Sequence, residues 1–412
     1  MASRSSTPAA PQGRKPRRRP ADRRDVILRV AAKAFSDSGY HAVRLDDIAD
    51  AAGISAPALY RHFPNKYALF AETARSLAGA LAAATAAVPS SPEDPAGELR
   101  GLLGALTAAA VDNRRTGGIY HWEADYLVDD DARYVRTVVV DQHRRIRSVL
   151  YACRPDLDGA AADLITAAMT SAVASPATHR TVLAARQIVT LITDAAMSLT
   201  DVELPPESTP RIGPAGGLSP TSKREVLLAE SIRLFAARGF REVTIDDIAR
   251  AADLPPSGVY RHFESKAAIL QAAFWRASDR VTAMISDALA RAATPRQAIV
   301  ALVTGYCDMC CTNNDILAVY ASEIGNIEPR QRTELRAQQR INVEEWAGWL
   351  TRDRPELTPV QARFLVQAAL NVTMDLTRPR RRPSAERVSS LGLRLLLADH
   401  APRQSDGVQI SQ

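Results

Sequence analysis

The sequence predicts an all-α protein made of two tandem copies of one unit, and three observations carry that prediction. Apolar residues recur at helical spacing along most of the 412 residues, and no segment alternates with the period of a half-buried strand. Ala and Leu fill an apolar content of 46%, with aromatic residues at only 5%, a bias towards helix. Finally, "ALYRHFPNKYAL" at 58–69 is nearly repeated by "GVYRHFESKAAI" at 258–269, 200 positions on with no slip.

The offset of 200 extends well beyond that phrase. Between 35–66 and 235–266, 14 of 32 positions are identical without a gap, including Phe35/Phe235, Gly39/Gly239 and the Asp-Asp-Ile-Ala runs at 46–49 and 246–249. Further on, Ile119-Tyr120-x-x-Glu123 answers Val319-Tyr320-x-x-Glu323, and Arg154-Pro155-Asp156-Leu157 answers Arg354-Pro355-Glu356-Leu357. Two copies are too few for a solenoid, which leaves a duplicated two-part unit.

Taken in order, residues 1–22 are rich in Pro, Ser, Ala and Arg, with Arg14, Lys15, Arg17, Arg18 and Arg19 clustered, and read as a disordered basic arm. A head follows over 23–69, opening with a helix that buries Val26, Ile27, Val30, Ala31, Ala34 and Phe35 and stops at Ser38-Gly39. A helical body occupies 70–200, with helices expected near 66–88, 96–115, 118–127, 131–152, 158–174 and 180–199. The Pro- and Gly-rich stretch 201–222 is a linker. The second head covers 223–269 and the second body 270–400, with helices near 266–291, 295–312, 315–325, 330–352, 359–376 and 385–399. A disordered tail closes the chain at 401–412.

Within each head, two short helices flank a tight turn, Ala52-Gly53-Ile54 in the first copy, which is the helix-turn-helix arrangement. Leu45, Ile48, Ala49, Ile54, Leu59 and Phe63 supply the packing, and Ser55 is placed to cap the second short helix, 55–63. That leaves Ala56, Pro57, Ala58, Tyr60, Arg61 and His62 outside the core. In this motif the second helix enters the DNA major groove. Tyr60, His62 and Lys66 are donors suited to phosphate oxygens beside it. A plain amphipathic helix end with solvated Tyr, Arg and His is the alternative for either copy alone.

The spaced pattern running from Phe35 to Lys66, and again from Phe235 to Lys266, resembles the DNA-binding head of the tetracycline-repressor (TetR) family. The resemblance covers roughly 23–69 and 224–270; the bodies resemble the family only in length and helicity. It implies a transcriptional regulator of double-stranded DNA operators, usually a homodimer and a repressor, released when a small molecule enters the body. It also implies DNA contact from Pro57, Ala58, Tyr60, Arg61, His62 and Lys66, and from Ser257, Gly258, Tyr260, Arg261, His262 and Lys266. Arg44, Ser55 and Ala56 in the first head, and Thr244 and Pro256 in the second, complete the candidate DNA surface.

The two heads differ where they would read bases. Asp253 stands where the first copy has Gly53, Thr244 where it has Arg44, and the recognition helices open "SAPAL" and "PPSGV". Thr244 is a good N-cap and Asp253 tolerates a left-handed turn. The expectation is therefore a pseudo-dimer within one chain, its unlike heads on an asymmetric or imperfectly palindromic operator. A flexible linker of about 20 residues spans roughly 25 Å and holds the units at mM effective concentration. Two chains presenting four heads are the rival arrangement, so further self-association stays open. The basic arm resembles arms that follow a minor groove, against the alternative of a solvated tail. The cluster at 378–382 reads as solvated surface.

In the bodies, Tyr120, Trp122, Glu123 and Tyr126, and Tyr306, Tyr320, Glu323 and Trp346, are candidates for lining a hydrophobic ligand's cavity. Plain core packing is the alternative for each, and Glu123 and Glu323 could instead pair with Arg136 and Arg336. The Ala-rich stretches 159–174 and 362–369 suit close helix approach, and by the resemblance the late helices form the contact between units. Cys307-x-x-Cys310-Cys311 has no fourth ligand nearby and reads as buried core thiols, with a redox sensor as the alternative and no metal or cofactor expected.

Composition excludes other classes. Four Cys favour a reducing, cytoplasmic setting over a disulfide framework, and no apolar run is long enough to span a bilayer. The basic, Pro-rich start lacks the apolar stretch of a signal peptide. A formal charge of +6 and a pI near 9.3 suit a polyanionic partner. No P-loop, G-x-S-x-G or H-E-x-x-H occurs, so the chain is not expected to be an enzyme. The second reading is a DNA-binding architectural or partner-recruiting protein without a small-molecule ligand.

Overall fold

The computed structural model describes residues 21–114, 126–207, 220–312, 314–378 and 383–398. The predicted basic cluster, all but the last two residues of the helix expected at 118–127, most of the linker and the tail lie outside these residues, as do Tyr120, Trp122 and Glu123.

Among the described residues the regular elements are helical. The first head comprises α1 (Ala21–Ala42), α2 (Leu45–Ala51) and α3 (Ala56–His62). Its body comprises α4 (Lys66–Ala86), α5 (Pro95–Asp112), α6 (Asp129–Cys153), α7 (Gly159–Ala174) and α8 (Ala185–Ser198). The second head comprises α9 (Lys223–Arg238), α10 (Ile245–Ala251) and α11 (Pro256–Tyr260). Its body comprises α12 (Lys266–Ala290), α13 (Pro295–Thr312), α14 (Asn314–Glu323), α15 (Pro329–Asp353), α16 (Pro359–Leu376) and α17 (Ala385–Leu397). The body helices of the two units start 200 residues apart, from Lys66/Lys266 to Ala185/Ala385, and the first pair begins on the same chemistry. Asn65 and Ser265 cap α4 and α12 by accepting from Ala68 N and Ala268 N.

Several helix starts differ from expectation by one or two residues, and one by five. The first helix begins at Ala21, two residues inside the predicted arm. The helix expected from 180 begins at Ala185, since Arg114 draws the preceding segment into a fixed loop by donating to the carbonyls of Pro176, His179 and Thr181. The repeated Arg-Pro-Asp/Glu-Leu has a structural use. Arg154 donates to Thr200 O at 2.6 Å and Arg354 to Leu396 O at 2.9 Å, each holding carbonyls freed at the end of its unit's last helix.

Each head has its own hydrophobic core, but the two bodies share one continuous core. The joint is made by α7 against α16, with α8 and α17 beside them, and the Ala-rich faces let the backbones approach. Near its centre Asn371 Nδ2 donates to Ser171 O at 3.0 Å and Ser171 Oγ at 2.9 Å. These residues are 200 apart, so the same position of each copy meets at the joint, as in an isologous dimer interface. One polypeptide thus encloses the contact that two chains would otherwise make.

At the edge of this seam, Phe364 of the second unit meets His179 of the first edge-on, with centroids 4.8 Å apart, and Arg114 lies 5.2 Å from the same ring. Burial, helped by the Arg114 charge, lowers the His179 pKa to about 3. The unfolded chain then binds a proton near pH 6.5 that the folded chain refuses, so stability falls as pH drops from about 6.5 towards 3. His179→Phe should flatten that acid limb in urea unfolding measured by circular dichroism; an unaltered pH profile counts against this account.

Candidate nucleic-acid interface

The interface is built on a turn that each head makes in its own way. In the first, α2 ends at Ala51 and Gly53 takes φ 67°, so the chain reverses while Ile54 N donates to Ala49 O at 3.0 Å. In the second, Asp253 takes φ 53° and Leu254 N donates to Ala249 O at 2.9 Å. The left-handed step is kept, and Asp serves where Gly would be the default.

Beneath the turn, Phe35, Ile48, Ala49, Leu59 and Phe63 form the first head's core, and Phe235, Ile248, Ala249, Val259 and Phe263 match them in the second. Arg24 lies over the Phe63 ring at 4.9 Å and Arg224 over Phe263 at 4.7 Å, so a stacked guanidinium closes each head beside its recognition helix. With Leu59 turned inward in α3, and Gly258 and Val259 in α11, most of the remaining positions face out. Tyr60 is 50% exposed and Tyr260 57%, and Pro57, Arg61, His62, Pro256, Ser257, Arg261 and His262 are exposed beside them. Ala56 and Ala58 are half-buried at the edge of this face. These phenol rings therefore lie in water next to cations and are not part of the head core.

Lys266, Gly258 and Thr244 serve the fold instead. Lys266 turns inward: Nζ donates to Phe240 O and Val243 O, both at 2.6 Å, and lies 4.4 Å from the Phe240 ring centre. It ties the start of α12 to the loop after α9, so a phosphate role for it is set aside. Lys66 makes the same move towards Tyr40, 4.9 Å from its ring centre. Ser55 occupies the N-cap position of α3, but its hydroxyl makes no capping bond. Gly258 is buried against Leu254 and Pro255 and offers no side chain to DNA.

Thr244 is committed to a capping box. Its hydroxyl accepts from Asp247 N at 3.1 Å and donates to Asp247 Oδ2 at 2.8 Å, while its own N–H reaches that oxygen at 3.0 Å. These bonds, with Arg238 alongside, hold the Asp247 carboxyl far below the usual carboxylate range. Arg44, at the matching position, caps nothing and stays exposed, 3.8 Å from Asp46. Thr244→Ala should therefore cost about 1 kcal/mol in urea unfolding, whereas Arg44→Ala should leave the midpoint in place.

The body candidates divide. Tyr306, Tyr320 and Trp346 line a cavity in the second unit. Tyr126 packs with the first head's core instead, stacking on Tyr40 at 5.4 Å where that head meets its body. Glu323 is buried but points to the second head, accepting from Phe240 N at 3.1 Å and from Asn326 Nδ2 at 2.6 Å. Burial raises its pKa, which these bonds oppose. Arg378, expected in solvent, pairs with Asp375 at 3.1 Å and faces a cavity. Cys307 and Cys310 are core residues with no exposed surface, and burial pushes the Cys307 thiol up to about 11, away from the reactive thiolate.

The seam pair Ser171 and Asn371 was missed by sequence reasoning. The available signal was a polar residue at the same place in two Ala-rich faces. Among the described residues no helix is long and apolar enough to cross a membrane.

Comparison with known proteins agrees with this geometry. The family profile "Bacterial regulatory proteins, tetR family" matches residues 27–73 and 227–273, once per head. The HTH-type transcriptional repressor KstR2 of Mycolicibacterium smegmatis is 33% identical over 146 residues, covering 34% of this chain and 71% of the relative. The HTH-type transcriptional activator FasR of the same organism is 49% identical over 49 residues, 12% of this chain and 22% of that protein. A TetR-family regulator from Bordetella parapertussis superposes with a TM-score of 0.40 at 22% identity, over 43% of this chain and 96% of its own. The chain belongs to the TetR family of bacterial regulatory proteins, as a DNA-binding regulator of transcription that carries two of the family's units in tandem.

Proposed function

We propose that one chain is a complete operator-reading unit: a repressor that places α3 and α11 on two unlike half-sites and lets go when a small hydrophobic molecule enters its body. The carrying observation is the Ser171–Asn371 contact between matching positions of the two copies, which fixes both heads to one body. The outward faces of α3 and α11 differ in side chains and in helix start, which favours unlike base preferences. The body contains cavities with largely apolar walls, as a ligand-responsive regulator needs.

Selection of bound DNA from a random library tests the reading, combined with light scattering of the complex. Two dissimilar half-sites under one chain of 44.6 kDa are expected. A perfect palindrome under two chains sinks it. If no compound in a metabolite panel that raises the melting temperature also releases DNA, the architectural reading takes its place. Removing residues 1–20 should lower the slope of log affinity against log salt by about 0.9 for each phosphate the arm neutralises; an unchanged slope removes the arm from the interface.

A further inference from the structure

The two bodies hold half-open cavities at matching places, yet they have diverged in what fills them. The first, among α4, α5, α6 and α7, has a volume of about 370 Å³. The second, among α12, α13, α14, α15 and α16, has about 120 Å³. At wall positions described in both copies, Leu106, Ala109 and Ala174 of the first face the space that Tyr306, Met309 and Met374 occupy in the second. Tyr306 is edge-on to Trp346, with centroids 6.0 Å apart, and both are buried, so this filling is packed core. Of this matched pair, only the larger approaches the volume that holds a small ligand, roughly 300 Å³ and above. A third space of about 390 Å³, between α9 and α12 of the second unit, is a more open groove with the charged Glu225, Arg276, Arg280 and Asp315 on its wall and does not suit an apolar guest.

The polar groups also differ. Gln142 Nε2, on the wall of the first cavity, is buried with no hydrogen-bond acceptor among the described residues. Its counterpart Asn342 is engaged, accepting from Gln338 Nε2 at 3.3 Å. A buried donor without an acceptor is costly, and a ligand oxygen would relieve it. The first cavity is also closed by the other unit, through Asp375, Leu376 and Arg378, whereas the second is lined by its own unit alone. Asp375 accepts from Ser171 Oγ at 2.6 Å, so a molecule in this cavity touches the seam contact itself.

We infer that this chain has one effector site, not two. It is the first unit's cavity, and it takes a small, uncharged, apolar molecule with one hydrogen-bond-accepting oxygen, next to Gln142. The inference rests on the ligand-responsive reading above and deepens it. The Asp375–Arg378 ion pair on the wall sums to no charge, which suits an uncharged occupant. The second unit has given up ligand binding by enlarging three wall residues, and the seam carries the response from one cavity to both heads.

Nile red, an uncharged apolar dye with a carbonyl oxygen, tests this on the full chain by fluorescence titration. Wild type should bind one equivalent. Ala109→Met with Ala174→Met, which copies the second unit's wall into the first, should weaken binding at least ten-fold. Gln142→Leu should weaken it about five-fold, the scale of one lost hydrogen bond. Met309→Ala with Met374→Ala should add a second equivalent, a gain that misfolding of the filled variant cannot imitate. Two equivalents on wild type, no binding, or indifference to the Ala109/Ala174 pair each overturns the inference. Operator affinity measured in parallel separates the outcomes: retained DNA binding with the wrong stoichiometry removes only the single-site inference, while absent DNA binding removes the regulatory reading.

Discussion

Tyr260→Ala combined with Arg261→Ala should lower the affinity of the full chain for its operator by about 10²–10⁴-fold, although the first head is untouched. A second grip on the same DNA binds as an intramolecular event, and its loss removes that gain in avidity. Both side chains are exposed and bury nothing in the head core, so the variant should keep its helical circular dichroism and melting temperature. The mirror variant, Tyr60→Ala with Arg61→Ala, should fall within the same range. Fluorescence anisotropy at one fixed salt concentration measures both, because phosphate contacts make affinity salt-dependent. A loss below about five-fold for either pair would mean that one head suffices, and the two-head reading would go with it. Exchanging 255–258 for the 55–58 sequence should go further and shift the preferred operator towards a palindrome.

Much of this architecture was legible because duplication writes the same constraints twice. The offset of 200 set the starts of the body helices, and the turn chemistry foretold left-handed backbone at Gly53 and Asp253. The Thr244 cap was readable from residue type and position, since such bonds form within one turn. What escaped depended on contacts distant in sequence. Lys266 resembles a phosphate ligand until the loop after α9 folds back and presents Phe240 O and Val243 O to it. Tyr126 looked like a cavity residue, but the head's Tyr40 reaches it first. The unequal cavities follow from swaps such as Ala109/Met309, which composition does not register and which matter only once four helices converge on them.

Phe364→Ala should be the most destabilising single change at the seam, by roughly 3–5 kcal/mol in urea unfolding, the range for truncating a fully buried Phe. Phe364 has no exposed surface and belongs to the second unit, but His179 and Arg114 of the first unit pack on its ring. Its removal leaves a cavity and takes the aromatic face from a cation that also holds the 176–181 carbonyls. The damage should therefore reach both bodies, because they share one hydrophobic core, while each head keeps its own. Phe364→Leu retains most of the apolar volume and should cost less than about 1.5 kcal/mol. Operator affinity offers a second readout. A loosened seam no longer fixes the distance between α3 and α11, so Phe364→Ala should weaken binding well beyond its effect on the folded fraction. A stability loss under about 1 kcal/mol, or unchanged operator affinity with the seam destabilised, would show that the two heads do not depend on the shared body for their spacing.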